Sequence, residues 1–284
     1  MRRAAWFYAH VQFYCHAYLR CNVRGLGFFL RNIRANLVID VHGSEMYFDS
    51  TIGGSYGCLI GGMWTEPETH LLLDRVLEAT PNVRCFIDVG ANIGEMILDI
   101  AARRKAVKVI GFEPIQECAN AIEQSVALNH WENVDIRMKA VGESIGTGLI
   151  AIDRRSPNAS ALAGVGVQCG VPVEISTLDV EIGDVEGEAI LLIDVEGSEL
   201  SVVRGGREFI HRRRPLIIFE YNHISRKHFT LDQMRSELGS DYTILRLRRD
   251  GFLDENLQET WNCVGAHMET SFFGICNALR RLDV

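Results

Sequence analysis

Four acidic residues each close an apolar run. Asp88 ends Cys85-Phe86-Ile87, Glu113 ends Val109-Ile110-Gly111-Phe112, Asp194 ends Ile190-Leu191-Leu192-Ile193, and Glu220 ends Leu216-Ile217-Ile218-Phe219. A carboxylate in such a place can accept hydrogen bonds from hydroxyls, hold a cationic amine, or take up a proton. After the first of them comes Gly90-Ala91-Asn92-Ile93-Gly94. Without a side chain, Gly90 lets backbone approach a ligand closely. Asn92 is expected to cap a helix over 93–104, so that its free N–H groups and positive dipole end face the same place. Gly94 is expected to let that helix pack closely on the strand.

Two cofactor classes suit a glycine turn after a first strand. A dinucleotide needs G-x-G-x-x-G so that its pyrophosphate can rest on the helix N-terminus. Here the middle glycine is absent, and Asp88 would meet the diphosphate as a like charge. S-adenosylmethionine suits Asp88 better, because it carries a cationic amine, a carboxylate and a ribose but no phosphate. Glu113 is placed to accept hydrogen bonds from both ribose hydroxyls, as the corresponding acid does in dinucleotide folds.

Further along, Glu196 follows Asp194 by two positions, and Tyr221, Asn222 and His223 follow Glu220. Methyl transfer is an in-line displacement, in which positioning supplies much of the rate. A hydroxyl acceptor must also lose its proton to a base. Asp194 is expected beside the methyl-donating end, orienting cofactor or substrate; its alternative is a cap on the helix that starts at Ser198. Glu220 is expected to bind the acceptor hydroxyl or act as base, the alternative being a structural hydrogen-bond partner. Glu196 is a further catalytic candidate or a cap on the same helix. His223 has basicity suited to neutral pH, and its alternative is a surface loop. A hard cation on Asp194, Glu220 and Asn222 is conceivable from their ligand types, but no fixed ligand spacing supports it, and no metal is assigned.

The elements that must position these residues alternate. Strands are expected at 84–89, 107–113, 134–141, 148–152, 171–176, 189–195 and 215–221, with helices over 66–78, 93–104, 115–129, 198–212 and 230–238. Thr230 is the N-cap of the last helix. Two more strands follow in YTILRL and TWNCVGAH. LVIDVHGSEMYFDS turns at His42-Gly43-Ser44 and reads as a hairpin. Strand–helix alternation with nearly continuous apolar strands means a parallel sheet covered on both faces. The stretch 153–170 is polar, glycine-rich and loop-like, a candidate lid or recognition edge.

The chain of 284 residues has a net charge of −8, yet its first 39 residues hold six arginines and no acid. The rest is strongly acidic, which argues against a nucleic-acid binder. Cys15, Cys21, Cys58, Cys85, Cys118, Cys169, Cys263 and Cys276 form no metal-binding spacing, so they read as buried thiols in a reducing, cytosolic setting. The apolar stretch before Arg20 is too short to span a bilayer. It reads as a helix packed on the main domain, with a helix lying on a membrane surface as the alternative.

The pieces FIDVGANIGE (86–95), GFEP (111–114), KAVGESIGTG (139–148), TLD (177–179), LLIDVEGSELSVVRGG (191–206) and RPLIIFE (214–220) together resemble the FkbM-type family of S-adenosylmethionine-dependent methyltransferases. The resemblance covers roughly 65–268. It implies a Rossmann-like class I methyltransferase α/β fold: a seven-stranded, mostly parallel sheet in the order 3-2-1-4-5-7-6 with helices on both faces. Residues 1–64 would be a helical and hairpin extension, a candidate cap over the acceptor, and 65–284 the methyltransferase domain. By motif position it implies cofactor contacts at Asp88, Gly90, Ala91, Asn92, Gly94, Glu113, Val141 and Asp194. The implied reaction is O-methylation of a sugar, glycolipid or polyketide-like small molecule. The rivals are N- or C-methylation on the same fold, or a non-catalytic domain that binds the cofactor.

Overall fold

The computed structural model describes residues 37–56, 59, 63–151, 161–162, 170–258 and 261–281. The helices expected over 1–34 and most of the 153–170 loop lie outside them. Among the described residues, no helix is long and apolar enough to cross a membrane.

Leu37–Val41 (β1) and Ser44–Phe48 (β2) form the expected hairpin, with His42 and Gly43 in left-handed backbone at its tip. Helix α1, Pro67–Ala79, opens with Pro67, whose missing N–H costs nothing in a first turn. Then come β3 (Val83–Val89), α2 (Glu95–Arg103), β4 (Lys108–Phe112), α3 (Gln116–Leu128) and β5 (Val134–Arg137). Ala140–Val141 (β6), Gly146–Ala151 (β7), Ala161–Leu162 (β8) and Val171–Ser176 (β9) build a separate four-stranded sheet in the order 6-9-7-8. Next are α4 (Leu178–Glu181), β10 (Glu188–Ile193), α5 (Glu199–Arg204), α6 (Arg207–Arg213) and β11 (Leu216–Glu220). The described chain finishes with α7 (Leu231–Leu238), β12 (Tyr242–Leu247), β13 (Leu253–Asp254), β14 (Asn262–His267) and α8 (Ser271–Ala278).

The main sheet runs β13-β12-β14-β11-β10-β3-β4-β5. Strands β5, β4, β3, β10 and β11 are parallel, and β14 is antiparallel to both its neighbours. The sheet is therefore mixed, and it has eight strands rather than seven, the extra one being the two-residue β13 at the edge. A second correction concerns 134–141, which is not one strand. Lys139 N–H bonds to Arg137 C=O, breaking the run, so β5 stays in the main sheet while β6 joins β9.

Side chains of the central strands alternate between two cores. Phe86, Ile190, Leu192, Leu216 and Ile218 point to the face covered by α1, α2 and α8. Ile87, Val89, Leu191, Ile193, Ile217 and Phe219 point to the face covered by α5, α6 and α7. Both faces are dry, which is why these strands are continuously apolar rather than alternating. Each such side chain contributes about 1.5–3 kcal/mol by its burial.

The hairpin lays Val41, Met46 and Phe48 against Ile115, Cys118 and Ala121 of α3 and its approach. Tyr47 N–H donates to Ser125 Oγ, and Glu45 N–H to Asn129 Oδ1. At its tip, the Trp64 ring lies between His42 and His70, with centroids 4.3 and 4.0 Å away.

Thr230 caps α7 as expected. Its hydroxyl accepts from Gln233 N–H, and the Gln233 side chain accepts from Thr230 N–H. Thr230→Ala should therefore lower unfolding free energy by about 1 kcal/mol, read by urea denaturation; an unchanged midpoint would mean the cap contributes nothing.

Candidate active site at the strand ends

The parallel strands all run toward one edge; Asp88 and Glu220 stand in the last residues of β3 and β11, and Glu113 and Asp194 directly follow β4 and β10. Gly90 N–H and Ala91 N–H both donate to Phe112 C=O, folding the first turn over the end of β4. Asp194 N–H donates to Val89 C=O, seating the third turn beside the first. Gly90 has φ +95°, and a Cβ built on it would stand 1.8 Å from the Asp194 carbonyl oxygen. Only glycine fits.

Two expectations about this turn change. The helix starts at Glu95, not at Ile93, and Gly94 in left-handed backbone is its N-cap. Asn92 is also left-handed, with φ 50°, and its side chain accepts from Cys118 Sγ instead of capping. Gly94 does permit close packing, but against Ile122 of α3 rather than against a strand.

Glu113 is buried. Its Oε2 accepts from Asn92 N–H and its Oε1 from Ile115 N–H, both at 2.8 Å. Each oxygen keeps a second lone pair. Burial pushes its pKa up to about 7, against the opposing pull of these two hydrogen bonds. Asp88 sits beneath the turn and is pushed up to about 8 by burial, with the charges of Glu66, Glu113 and Glu95 adding to the effect.

A cavity enclosing about 730 Å³, part of it open to solvent, is lined by Gly90, Asn92, Glu113, Val141, Asp194 and Glu196 among others. Asp88, Ala91, Gly94, Glu220 and His223 are not among its lining residues. His223 is exposed and meets Trp261 edge-on, with ring centroids 6.2 Å apart.

The other acids crowd one another. Burial raises Asp194 well above the carboxylate range, and the charges of Glu220, Glu66, Glu196 and Glu199 raise it further. Burial pushes Glu196 up to about 7, helped by Glu199 and Glu66. Burial likewise takes Glu220 up to about 9, helped by Glu196, Glu66 and Glu199. One carboxylate oxygen of each of Glu196, Glu199 and Glu220 is buried without a hydrogen-bond partner. Glu196 itself has left-handed backbone, φ 51°.

Sequence reasoning passed over two of these residues. Glu199 is fully buried, and its Oε1 accepts from Val195 N–H and Gly197 N–H, tying the Asp194–Glu196 turn to α5. Its signal was an acid in the first turn after Gly197-Ser198. Neither Asp194 nor Glu196 caps that helix; Ser198 is the N-cap position and makes no side-chain cap bond. Glu66 precedes α1, and its Oε2 accepts from Thr69 Oγ1 and Asn262 Nδ2. No local pattern marks it, because Asn262 comes from the far end of the chain.

A family model described as "Methyltransferase FkbM domain" matches residues 88–252, more than half of the chain. Among solved structures, the methyltransferase FkbM from Methylobacillus flagellatus KT is 18% identical over 66% of this chain and 44% of that one, with a TM-score of 0.45. An rRNA methylase from Streptococcus thermophilus is 12% identical over 72% of this chain and 99% of that one, with a TM-score of 0.43. M. jannaschii TYW2 in complex with AdoMet is 12% identical over 82% of this chain and 84% of that one, with a TM-score of 0.45. These likenesses are too distant to carry an argument, and the family match stands by itself. This chain spans less than half the length of the M. flagellatus protein. No curated protein matches it.

Proposed function

Because the chain belongs to the FkbM family of S-adenosylmethionine-dependent methyltransferases, we propose that it moves the methyl group of that cofactor to a hydroxyl of a sugar, glycolipid or polyketide-like small molecule. The observation that carries the reading is a cavity shared by Gly90, Glu113 and the Asp194–Glu196 turn, each from a different strand end. It combines a close backbone approach, an acceptor with two oxygens, and carboxyl groups with no basic partner among the described residues.

In this reading the ribose hydroxyls donate to the remaining lone pairs of Glu113. Backbone at Gly90, Ala91 and Asn92 borders the amino-acid end of the cofactor, with Asp88 beneath it and Gly94 holding the turn down on α3. Val141 borders the adenine. Asp194 faces the sulfonium, where a negative charge suits the bound donor. As the acceptor oxygen bonds to the methyl carbon, the carbon–sulfur bond breaks and its electron pair stays on sulfur, leaving S-adenosylhomocysteine. The hydroxyl proton passes to a carboxylate. Glu196 is favoured for that role by position, since it lines the cavity and has a free oxygen. Glu220 lies just behind, and His223 is the outer candidate. Such a base contributes about 10²–10⁴-fold. The N-terminal stretch and most of the 153–170 loop, the segments expected to shape the acceptor pocket, lie outside the described residues. A reducing, cytosolic setting is supported by Cys85, Cys118 and Cys276, which are buried thiols outside any disulfide among the described residues.

Calorimetric titration with S-adenosylhomocysteine tests the cofactor role. Glu113→Gln should weaken binding about 30–150-fold, the equivalent of roughly 2–3 kcal/mol. Equal affinity in the variant would remove Glu113 from the ribose, and no binding by the parent chain would end the reading. The acceptor is then sought with labelled methyl donor in a cell extract; labelled amines without labelled hydroxyl compounds would replace O-methylation with N-methylation.

A further inference from the structure

We propose that Asp194, Glu199 and Glu220 hold a hard divalent cation of the magnesium or manganese class. Asp194 and Glu220 each stand one residue beyond the paired Ile193 and Phe219 of the neighbouring strands β10 and β11. Glu199 reaches in from the start of α5. One carboxylate oxygen from each lies within 4.8 Å of the others. In an oxygen shell with bonds of about 2.1–2.4 Å, ligand atoms are separated by roughly 3.0–4.8 Å.

The second observation is the state of the oxygens. Glu199 has no solvent exposure, and its Oε2 makes no hydrogen bond. Its Oε1 is fixed by Val195 N–H and Gly197 N–H, so the carboxylate cannot swing away to find water. Glu220 Oε2 is also buried and unpartnered. The Ser225 hydroxyl stands near Glu199, short of hydrogen-bond geometry. Among the described residues, no lysine, arginine or histidine pairs with any of the three acids.

Such a group of anions needs more than one positive charge. The sulfonium or an ammonium brings one, whereas a divalent cation brings two and replaces missing hydrogen bonds with metal–oxygen bonds. Carboxylate ligands with water completing the shell are what magnesium and manganese take. Asp194 also lines the cavity, so the cation would sit at its edge. On the methyl-transfer reading, and only on it, the open coordination positions face the acceptor oxygen.

The test is Mn²⁺ titration of the full chain near neutral pH, following the electron paramagnetic resonance of free Mn²⁺. One Mn²⁺ per chain is expected, displaced by excess Mg²⁺. Glu199→Gln and Glu220→Gln should each weaken it about tenfold or more, since ligand charge sets affinity in such sites. If Glu199→Gln does not fold, Glu220→Gln decides. No saturable binding up to about 1 mM, a range covering even weak oxygen-liganded sites, would mean that protons neutralise the cluster, and the proposal falls. Binding unchanged by the substitution would place the ion elsewhere and overturn it equally. S-adenosylhomocysteine is titrated into the same samples. Nucleoside binding without Mn²⁺ binding sinks the cation alone; Mn²⁺ binding without nucleoside binding sinks the methyl-transfer reading alone.

Discussion

Gly90→Ala should cost about 4 kcal/mol or more of stability, and should weaken S-adenosylhomocysteine binding by at least about 10²-fold. The new methyl group would overlap the Asp194 carbonyl oxygen at 1.8 Å and press on Val195. The positive φ adds about 1–2 kcal/mol of its own. Neither partner can step aside cheaply. Asp194 is bonded through its N–H to Val89, and the following turn is bonded to Glu199. Relief therefore means separating the first and third turns, both of which line the cavity. Gly146→Ala is the control, because nothing lies within 4 Å of a Cβ there. Thermal denaturation and calorimetry read both variants. A Gly90→Ala protein as stable as the control, with undiminished affinity, would show that the two turns do not meet as described.

The ligand-free protein should lose stability as pH rises from about 5 to 9. His70 is buried; burial alone would lower its pKa, but the hydrogen bonds it donates to Asp99 and Glu95 outweigh this and carry it to about 9. Its contribution is complete below its unfolded value of about 6.5 and is lost as pH climbs through 9, which amounts to about 3 kcal/mol at 1.36 kcal/mol per pH unit. Asp88 acts in the same direction. Its folded pKa of about 8 lies above its ordinary value, so ionising it costs the folded state more than the unfolded one. Asp99 runs the other way: held below its usual range by His70 and Arg103 against the effect of burial, it contributes stability that is lost only in acid. Urea unfolding at several pH values should show stability falling from about pH 5 toward pH 9. Asp88→Asn should be more stable than the parent at pH 8 and should flatten the decline. A parent curve that is level or rises toward pH 9 would contradict both assignments.

The central fold was legible because burial on both faces leaves its mark directly. Runs such as Ala189-Ile190-Leu191-Leu192-Ile193 can be little else than inner parallel strands, and an acid straight after such a run must lie at the sheet edge. The cap at Thr230 was readable for the same reason, since Thr230 and Gln233 meet through local geometry. What escaped depends on distant partners. The break after Arg137 is set by β9, which claims Ala140 and Val141. Helix α8 was passed over, although Phe272, Ile275 and Cys276 recur at helical spacing; its other signals are weak, with a glycine inside it and no side-chain cap. Asn92 looked like a cap because its residue type suits one, but the same short polar side chain also tolerates left-handed backbone, and that is how it is used. Glu66 and Glu199 join the site only once Asn262 and the Val195–Gly197 turn are in place.

The order of strands also constrains how the chain is made. Strand β3, which leads into Asp88 and Gly90, lies beside β10, which emerges from synthesis about a hundred residues later. Strand β14 then slips between β11 and β12, both already synthesised. Until it arrives, each of those presents a bare apolar edge, the kind of surface on which nascent chains stick to one another. Non-local pairing of this extent makes folding slow, so a chaperone or a low temperature covering that interval should raise the yield of folded protein. A fragment ending at residue 252, where the family match stops, would keep every acid of the cavity and still lack the strand that closes the sheet.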